Sequence, residues 1–358
     1  MYLKQEMRQY LGIDSRLIIV LFNDIFYSMK QVISLNTKEK LLMLFESCKG
    51  IYISGEEIAS QLSISRSAVW KAVNLLRKDG YEIDAIKNKG YRLSLDTDIL
   101  SVQGIQKYLQ PICKSLDIHV EEEVSSTNSI VREKANVGVI EGYTLIADSQ
   151  TEGRGRFERK FYSPKDSGIY MSILLKPIHM TPGQAIHLTT MAAVAACEAI
   201  EDITEKSPDI KWVNDIYMEG KKVSGILTEA TLNMETGSLD YIVLGIGFNI
   251  YPPKEGFPKE IDNIAGTIFN ERQKDGKNAL TAGFLNHFMN YYIKNDKNLF
   301  IEGYRKRNIA IGKNIIVLSS SGNRLAKALD IDEDCRLLVK YEDGSIERLS
   351  SGEISIRL

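Results

Sequence analysis

The sequence predicts an α+β chain of several domains, and three observations carry that prediction. Two short helical segments, each preceded by a capping serine, are followed by a hairpin pattern between residues 34 and 95. Strand and helix patterns then alternate through residues 99–308, with short turns between the later strands. Such alternation favours a mixed, largely antiparallel sheet with helices packed on it. Residues 309–358 give about five short β runs separated by Ser321-Gly322, Asp332-Glu333-Asp334 and Asp343-Gly344, the pattern of a small all-β barrel. A chain of 358 residues exceeds one ordinary domain, so several cores are expected.

Composition narrows the function classes. An apolar content of 44% and a charged content of 26% suit a globular chain that buries a core. The formal net charge of −2 gives no overall pull toward nucleic acid, so any such affinity must come from a local patch. Cys48, Cys113, Cys197 and Cys335 are scattered and read as reduced thiols of a cytoplasmic protein. His119, His179, His187 and His287 are equally dispersed, which argues against a histidine metal site or a histidine-based triad. The chemistry is therefore expected to run on carboxylates, amides and cations.

Residues 1–33 form an extension of unclear role. Its greasiest run, Leu17-Ile18-Ile19-Val20-Leu21-Phe22, is closed by Asn23-Asp24 and falls far short of the roughly 20 residues a membrane span needs. A signal peptide would show a basic start and a small-residue cleavage site. Met29 is a candidate start, so residues 1–28 are expected to lie upstream of the functional protein.

Within residues 34–95, a helix over 38–48 places Leu41, Leu42, Leu44 and Phe45 on its core side. Ser54 followed by Glu57 predicts a capping box opening a helix that ends near Leu62. Ser65 caps a second helix running to Asp79 and stopped by Gly80. Strands over 81–86 and 91–95 are joined by Lys87-Asn88-Lys89-Gly90. Helix, turn, helix and hairpin make the winged helix-turn-helix layout. On the second helix Val69, Val73 and Leu76, with Trp70 beside them, are expected to face the core. Ser65, Arg66, Ser67, Lys71, Asn74 and Lys78 are left for base edges and phosphates of a double-stranded DNA operator, with Lys87 and Lys89 at the wing tip. Residues 36–95 carry ten basic and seven acidic side chains, a local excess of three positive charges. The competing use of such a fold is a protein contact.

The central region, 99–308, reads as strands at 120–124, 143–148, 169–175, 216–218, 223–229 and 241–249. Helices are predicted at 128–134, 184–201 and 282–292. Two stretches hold its chemistry. One joins Gln150 to Gly153-Arg154-Gly155-Arg156, Arg159, Lys160 and Phe161-Tyr162; the other runs Lys211-Trp212-Val213-Asn214-Asp215 and Lys221-Lys222-Val223-Ser224-Gly225. Together they predict a flexible cationic loop drawn over a nucleotide and a small acid. Arg154 and Arg156 offer planar guanidinium forks for carboxylate and phosphate. Gly153 and Gly155 let the backbone approach a ligand, and Lys222 adds a point charge. Ser126, Thr127 and Asn128 offer hydroxyls and an amide at a strand-to-helix turn, where Thr127 is also a candidate cap. Gln150 suits a urea-like ring, and Asp215 is the expected carboxylate for Mg²⁺. Gly245-Ile246-Gly247 lacks the third glycine of a dinucleotide fingerprint, and no Gly-Lys-Ser/Thr phosphate loop occurs.

The ordered set, from about residue 36 to the C-terminus, resembles the bacterial biotin–protein ligases that also carry an N-terminal DNA-binding domain. Ser126-Thr127-Asn128, Gln150, the loop Gly153–Arg156, Lys222 with Gly225, the strand end Gly245-Ile246-Gly247-Phe248-Asn249 and the closing Gly352-Glu353-Ile354-Ser355 match the family's motifs. The chain departs from them at Val213, where proline is usual; at Glu158, often a second glycine; and at Phe161, commonly tryptophan.

What the resemblance implies is a two-step ligase. Biotin and MgATP give biotinyl-5′-AMP, and a lysine of a biotin carboxyl carrier domain then attacks the anhydride. Biotin contacts would fall to Ser126, Thr127, Asn128, Gln150, Gly153, Arg154, Gly155, Arg156, Lys222 and Gly225. Nucleotide contacts would fall to Arg156, Arg159, Phe161, Asn214, Asp215 and Asn249, with Arg154, Arg156 and Lys222 catalytic. The C-terminal barrel would be SH3-like. The adenylate-loaded protein would form a homodimer and repress biotin synthesis genes, the adenylate serving as corepressor. Two alternatives remain at this point: a lipoate-type ligase, and a regulator that senses a small acid without catalysis.

Overall fold

The computed structural model describes residues 35–113, 116–177, 180–233, 235, 237–318, 322–350 and 352–356. The expectations for residues 1–33, including the start at Met29, lie outside these. The chain divides into two compact units between Thr97 and Asp98.

In the first unit, α1 (Thr37–Ser47), α2 (Gly55–Leu62) and α3 (Arg66–Lys78) precede a hairpin of β1 (Ile83–Ile86) and β2 (Gly90–Leu93). The Ser54 hydroxyl accepts from the Glu57 amide at 3.0 Å, as a capping serine should. The reciprocal box forms one helix earlier, between Asn36 and Glu39. Ser65 accepts from the Ala68 amide at 3.2 Å and opens α3. Val69, Val73 and Leu76 are buried as their spacing predicts, but Trp70 is 59% exposed and does not join them. At 3.6 residues per turn, residue 70 lies one step past the edge of the buried stripe formed by residues 69, 72, 73 and 76.

The second unit is built on a seven-stranded sheet of order β3-β4-β5-β9-β8-β7-β6. Its members are β3 (Asp117–Val124), β4 (Tyr143–Gln150), β5 (Gly168–Leu175), β6 (Asp209–Lys211), β7 (Asp215–Met218), β8 (Lys221–Leu232) and β9 (Leu239–Asn249). The β3–β4 pair is parallel and the other pairs are antiparallel, so the sheet is mixed as expected. Helices α4 (Val102–Gln106), α5 (Thr127–Asn136), α6 (Ala185–Ile203), α7 (Gly276–Lys294) and α8 (Asn298–Arg307) complete it. The sequence pattern left out α4, α8 and β6, and α7 begins six residues before its predicted start at 282. Its first turn buries Lys277 and Asn278, polar residues that hide the apolar period.

The C-terminal strands β10 (Asn314–Leu318), β11 (Arg324–Ile331), β12 (Leu337–Tyr341), β13 (Ile346–Leu349) and β14 (Glu353–Ile356) form one antiparallel sheet of order β13-β12-β11-β10-β14. Its buried face, including Ile315, Ala328, Leu337 and Val339, merges into the core of the same unit. No helix among the described residues is long and apolar enough to cross a membrane.

Candidate active site

The ends of β4, β8 and β9 converge on one surface. There the loop of residues 151–167 closes over two adjoining spaces, a cavity of about 310 Å³ and a narrow slot of about 30 Å³. Arg154, Phe161, Gly225 and Leu227 line both.

The slot is floored by the turn into α5. Ser126 is the N-cap residue, yet neither it nor Thr127 provides a side-chain cap. Thr127 instead donates to Gln150 Oε1 through its backbone nitrogen (2.9 Å) and its hydroxyl (3.2 Å). Gln150 Nε2 donates in turn to Ser163 Oγ at 3.0 Å, so one amide ties the turn to the far side of the loop. Ser172 Oγ donates to Asn128 Oδ1 at 2.6 Å and lies 2.7 Å from Thr127 Oγ1. Ser126, Thr127 and Asn128 are all buried, so their polar atoms must be satisfied internally or by a ligand.

Gly245 and Gly247 explain themselves here. A Cβ on Gly245 would stand 2.0 Å from Asn128 Oδ1, and one on Gly247 would stand 2.5 Å from Phe161 Cε1. The two glycines clear the sheet surface for an amide and an aromatic ring, which is a role unrelated to a phosphate-binding turn. Phe161 meets Tyr170 edge-on at 6.2 Å between centroids. Burial pushes the Tyr170 phenol well above its usual range, so it remains protonated and donates to the Pro164 carbonyl at 3.2 Å.

The loop itself is a tight hairpin. Gly155 donates to the Arg159 carbonyl, and Phe161 to that of Gly153, both at 2.8 Å. Phe157 and Glu158 adopt φ of +54° and +57°. That left-handed region favours glycine, and this chain places side chains there at a cost of about 1 kcal/mol each. Arg154 ion-pairs with Glu229 at 3.0 Å, and Arg156 donates to Asn214 Oδ1 at 3.1 Å.

Charge is concentrated in the larger cavity. Arg154, Arg156, Arg159, Lys160, Lys211 and Lys222 line it, and Asp215 is the single acidic side chain among its described lining residues. Lys222 Nζ stands 2.6 Å from Asp215 Oδ1. Asn214 is locked to the Ile226 carbonyl at 2.9 Å, and Asn249 donates to the Lys222 carbonyl at 3.4 Å. Six cations against one carboxylate suit a polyanion carrying several negative charges. Trp212, 3% exposed, contributes a wall and donates to the Cys335 carbonyl at 3.4 Å.

Of the site residues expected in the second unit, all but Gly153 line one of these two spaces. One important residue escaped the sequence reading. Glu229 accepts from Asn128 Nδ2 at 2.8 Å while pairing with Arg154, and Arg132 approaches it at 3.6 Å. Its position in β8 gives no motif, because its partners come from two distant segments, α5 and the loop.

On the first unit, Ser65, Arg66, Ser67, Lys71 and Lys78 are exposed along α3, Asn74 is half-buried, and Lys87 and Lys89 are exposed at the hairpin tip. Most of the side chains expected to face a nucleic acid are therefore open to solvent, on α3 and at the tip of the hairpin.

Three family models match the chain: an HTH domain over residues 37–92, the Biotin/lipoate A/B protein ligase family over residues 120–249, and a Biotin protein ligase C terminal domain over residues 310–357. The bifunctional ligase/repressor BirA of Bacillus spizizenii is 34% identical over 329 residues, covering 89% of this chain and 98% of that protein. The protein of the same description from Escherichia coli is 26% identical over 89% of the chain. The biotin protein ligase of Aquifex aeolicus, solved in complex with biotin and ATP, superimposes with a TM-score of 0.55 at 29% identity. It covers 67% of this chain, and 98% of that chain is matched.

Proposed function

Since the chain belongs to the family of bifunctional biotin–protein ligase/repressors, we infer that it activates biotin with ATP to biotinyl-5′-AMP and passes the biotin to a carrier lysine. The acceptor is a biotin carboxyl carrier domain, and the protein also represses biotin synthesis genes through its N-terminal unit, with the adenylate as corepressor. The observation that carries the catalytic reading is the junction of a cationic cavity with a small polar-floored slot at Phe161 and Arg154.

Two anions must meet for this reaction, and the carboxylate is a weak nucleophile. Arg156, Arg159 and Lys222 neutralise phosphate charge, and a well-placed donor to the developing charge contributes roughly 2.7–4 kcal/mol in such sites. Ser126, Thr127, Asn128 and Gln150 supply the polar groups for the bicyclic ring, while Gly153, Gly155 and Gly225 leave room for it. The slot, at about 30 Å³, holds no more than a few waters, so Phe161 and the loop must shift to admit biotin. The loop then returns to exclude water from the anhydride. Phe161, Asn214 and Asn249 serve the nucleotide.

Mg²⁺ commonly takes one or two carboxylates with the rest of its shell from phosphates and water. Asp215, the lone carboxylate among the described lining residues, fits that requirement and would hold the ion. When bound, the ion offsets charge on the phosphates.

Within this reading the working divisions are residues 34–95 for DNA binding, 99–308 for catalysis and 309–358 for a C-terminal unit of SH3-like barrel type. The adenylate-loaded form acts as a homodimer on a two-fold-related site, in the cytoplasm. Biotin-dependent exchange of labelled pyrophosphate into ATP tests the reading. Exchange driven by lipoate would replace it with the lipoate-type alternative, and no exchange with either acid would leave a sensor.

A further inference from the structure

Trp70 is the largest side chain on the exposed part of α3, 59% exposed, and it makes no hydrogen bond or ring contact among the described residues. It lies one helical turn from Arg66 and Ser67 on one side and from Asn74 on the other, next to Lys71. An isolated apolar group on a polar surface is ordinary. An indole set among the side chains expected to read DNA is a different matter, because leaving that surface in water forfeits its burial. The charge of the same unit selects the partner: Arg66, Lys71 and Lys78 are exposed on the same helix, and Lys87 and Lys89 on the hairpin that follows it. A phosphate-bearing duplex complements those cations and offers, in its major groove, an apolar group for the indole, the C5 methyl of thymine.

We propose that Trp70 is a specificity-determining residue that packs against a thymine methyl in the major groove. The proposal rests on the DNA-reading assignment of the first unit and adds the base chemistry that this unit selects.

The test uses full-length, adenylate-loaded protein and duplexes selected by it from a random-sequence library. Each thymine of the selected duplex is replaced by uracil, which removes only the methyl. One thymine per half-site should then weaken binding about tenfold for the unaltered protein and have no effect on Trp70→Ala. Trp70→Ala should keep the unaltered slope of affinity against salt, whereas Lys71→Ala should flatten it by about one released counterion. Biotin-dependent pyrophosphate exchange should be unchanged in Trp70→Ala, which reports an intact second unit, and an unchanged salt slope reports a first unit that still docks on the phosphates. The chain has two tryptophans, and Trp212 is 3% exposed. The duplex should therefore protect the acrylamide-accessible emission, which belongs to Trp70. Equal affinities of Trp70→Ala and unaltered protein for every duplex, or a Trp70→Ala loss that ignores the methyl, would overturn the proposal and leave DNA binding standing. A selection that recovers no duplex would overturn both.

Discussion

Lys277 Nζ lies 2.6 Å from Asp148 Oδ1, with the lysine side chain 2% exposed and the aspartate 14%. The pair ties the first turn of α7 to β4, two residues before Gln150. Asp148 also accepts from the Asp166 amide at 3.0 Å, where the loop over the site rejoins the sheet. Breaking a buried pair costs about 3–5 kcal/mol, because the remaining charge is left without a partner. Asp148→Asn is expected to cost more than Lys277→Met, since it leaves the deeper of the two charges with only Asp166, 3.9 Å away, as a counter-ion. Urea unfolding followed by circular dichroism orders the two variants, and the reverse order would show that the carboxylate is the costlier group to leave alone.

Gly245 and Gly247 carry a second prediction. Alanine at 245 must push Asn128 off its hydrogen bonds, and alanine at 247 must push Phe161 off the sheet. One lost hydrogen bond of about 1.4 kcal/mol corresponds to roughly tenfold in affinity. Gly245→Ala should therefore raise the KM for biotin about tenfold with a smaller effect on ATP. Gly247→Ala should raise both, because Phe161 borders both spaces. Steady-state exchange kinetics with each substrate varied separates these outcomes.

Arg156 is anchored to Asn214 and lines the cavity. A charged hydrogen bond contributes about 1.5–3 kcal/mol, so Arg156→Ala should release the adenylate roughly ten- to a hundredfold faster. Rapid dilution of protein loaded with labelled biotinyl-5′-AMP measures the release directly. Retention equal to that of the unaltered protein would remove Arg156 from the closing loop.

Stability should also depend on His187. Burial in α6 is the main cause that lowers its pKa below the usual value, against a smaller opposing pull from Asp334. The unfolded chain therefore takes up the proton first. Its contribution is present above the ordinary histidine pKa near 6.5 and is lost as pH falls from there toward the lowered folded value. Unfolding midpoints at pH 7.5 and 5.5 should differ less in His187→Gln than in the unaltered chain. An equal difference would assign the acid loss to other groups.

How much the sequence revealed follows from how local each signal is. The helix pair of the first unit was legible because Ser54 and Ser65 announce their own helices through bonds three residues long. The cationic loop was legible because its guanidinium groups are contiguous. Trp70 was misplaced because helical period assigns a residue at the border of a stripe to either side. Helix α7 was shortened because Lys277 and Asn278 are buried by distant partners, Asp148 and the carbonyl of Ile99. The five-stranded C-terminal sheet was countable from its turns, whereas the pairing of β10 with β14 depends on contacts no local pattern records.

Glu229 is the plainest case of a residue hidden by distance, and its two contacts differ in worth. Its pair with Arg154 joins side chains that are 23% and 40% exposed, so solvent screens it to about 1 kcal/mol or less. Its acceptance of the Asn128 amide at 2.8 Å lies deeper, under a residue only 4% exposed. Leaving such a donor unsatisfied costs about 1–3 kcal/mol. Glu229→Gln keeps an oxygen for Asn128 and removes only the charge, so the KM for biotin should change less than about fivefold. Glu229→Ala removes both contacts and should raise that KM by roughly ten- to a hundredfold, with kcat less affected because Asn128 binds and does not react. If the glutamine variant instead matched the alanine variant, the ion pair with Arg154 would be the contact that shapes the slot, and the hydrogen bond to Asn128 would be secondary.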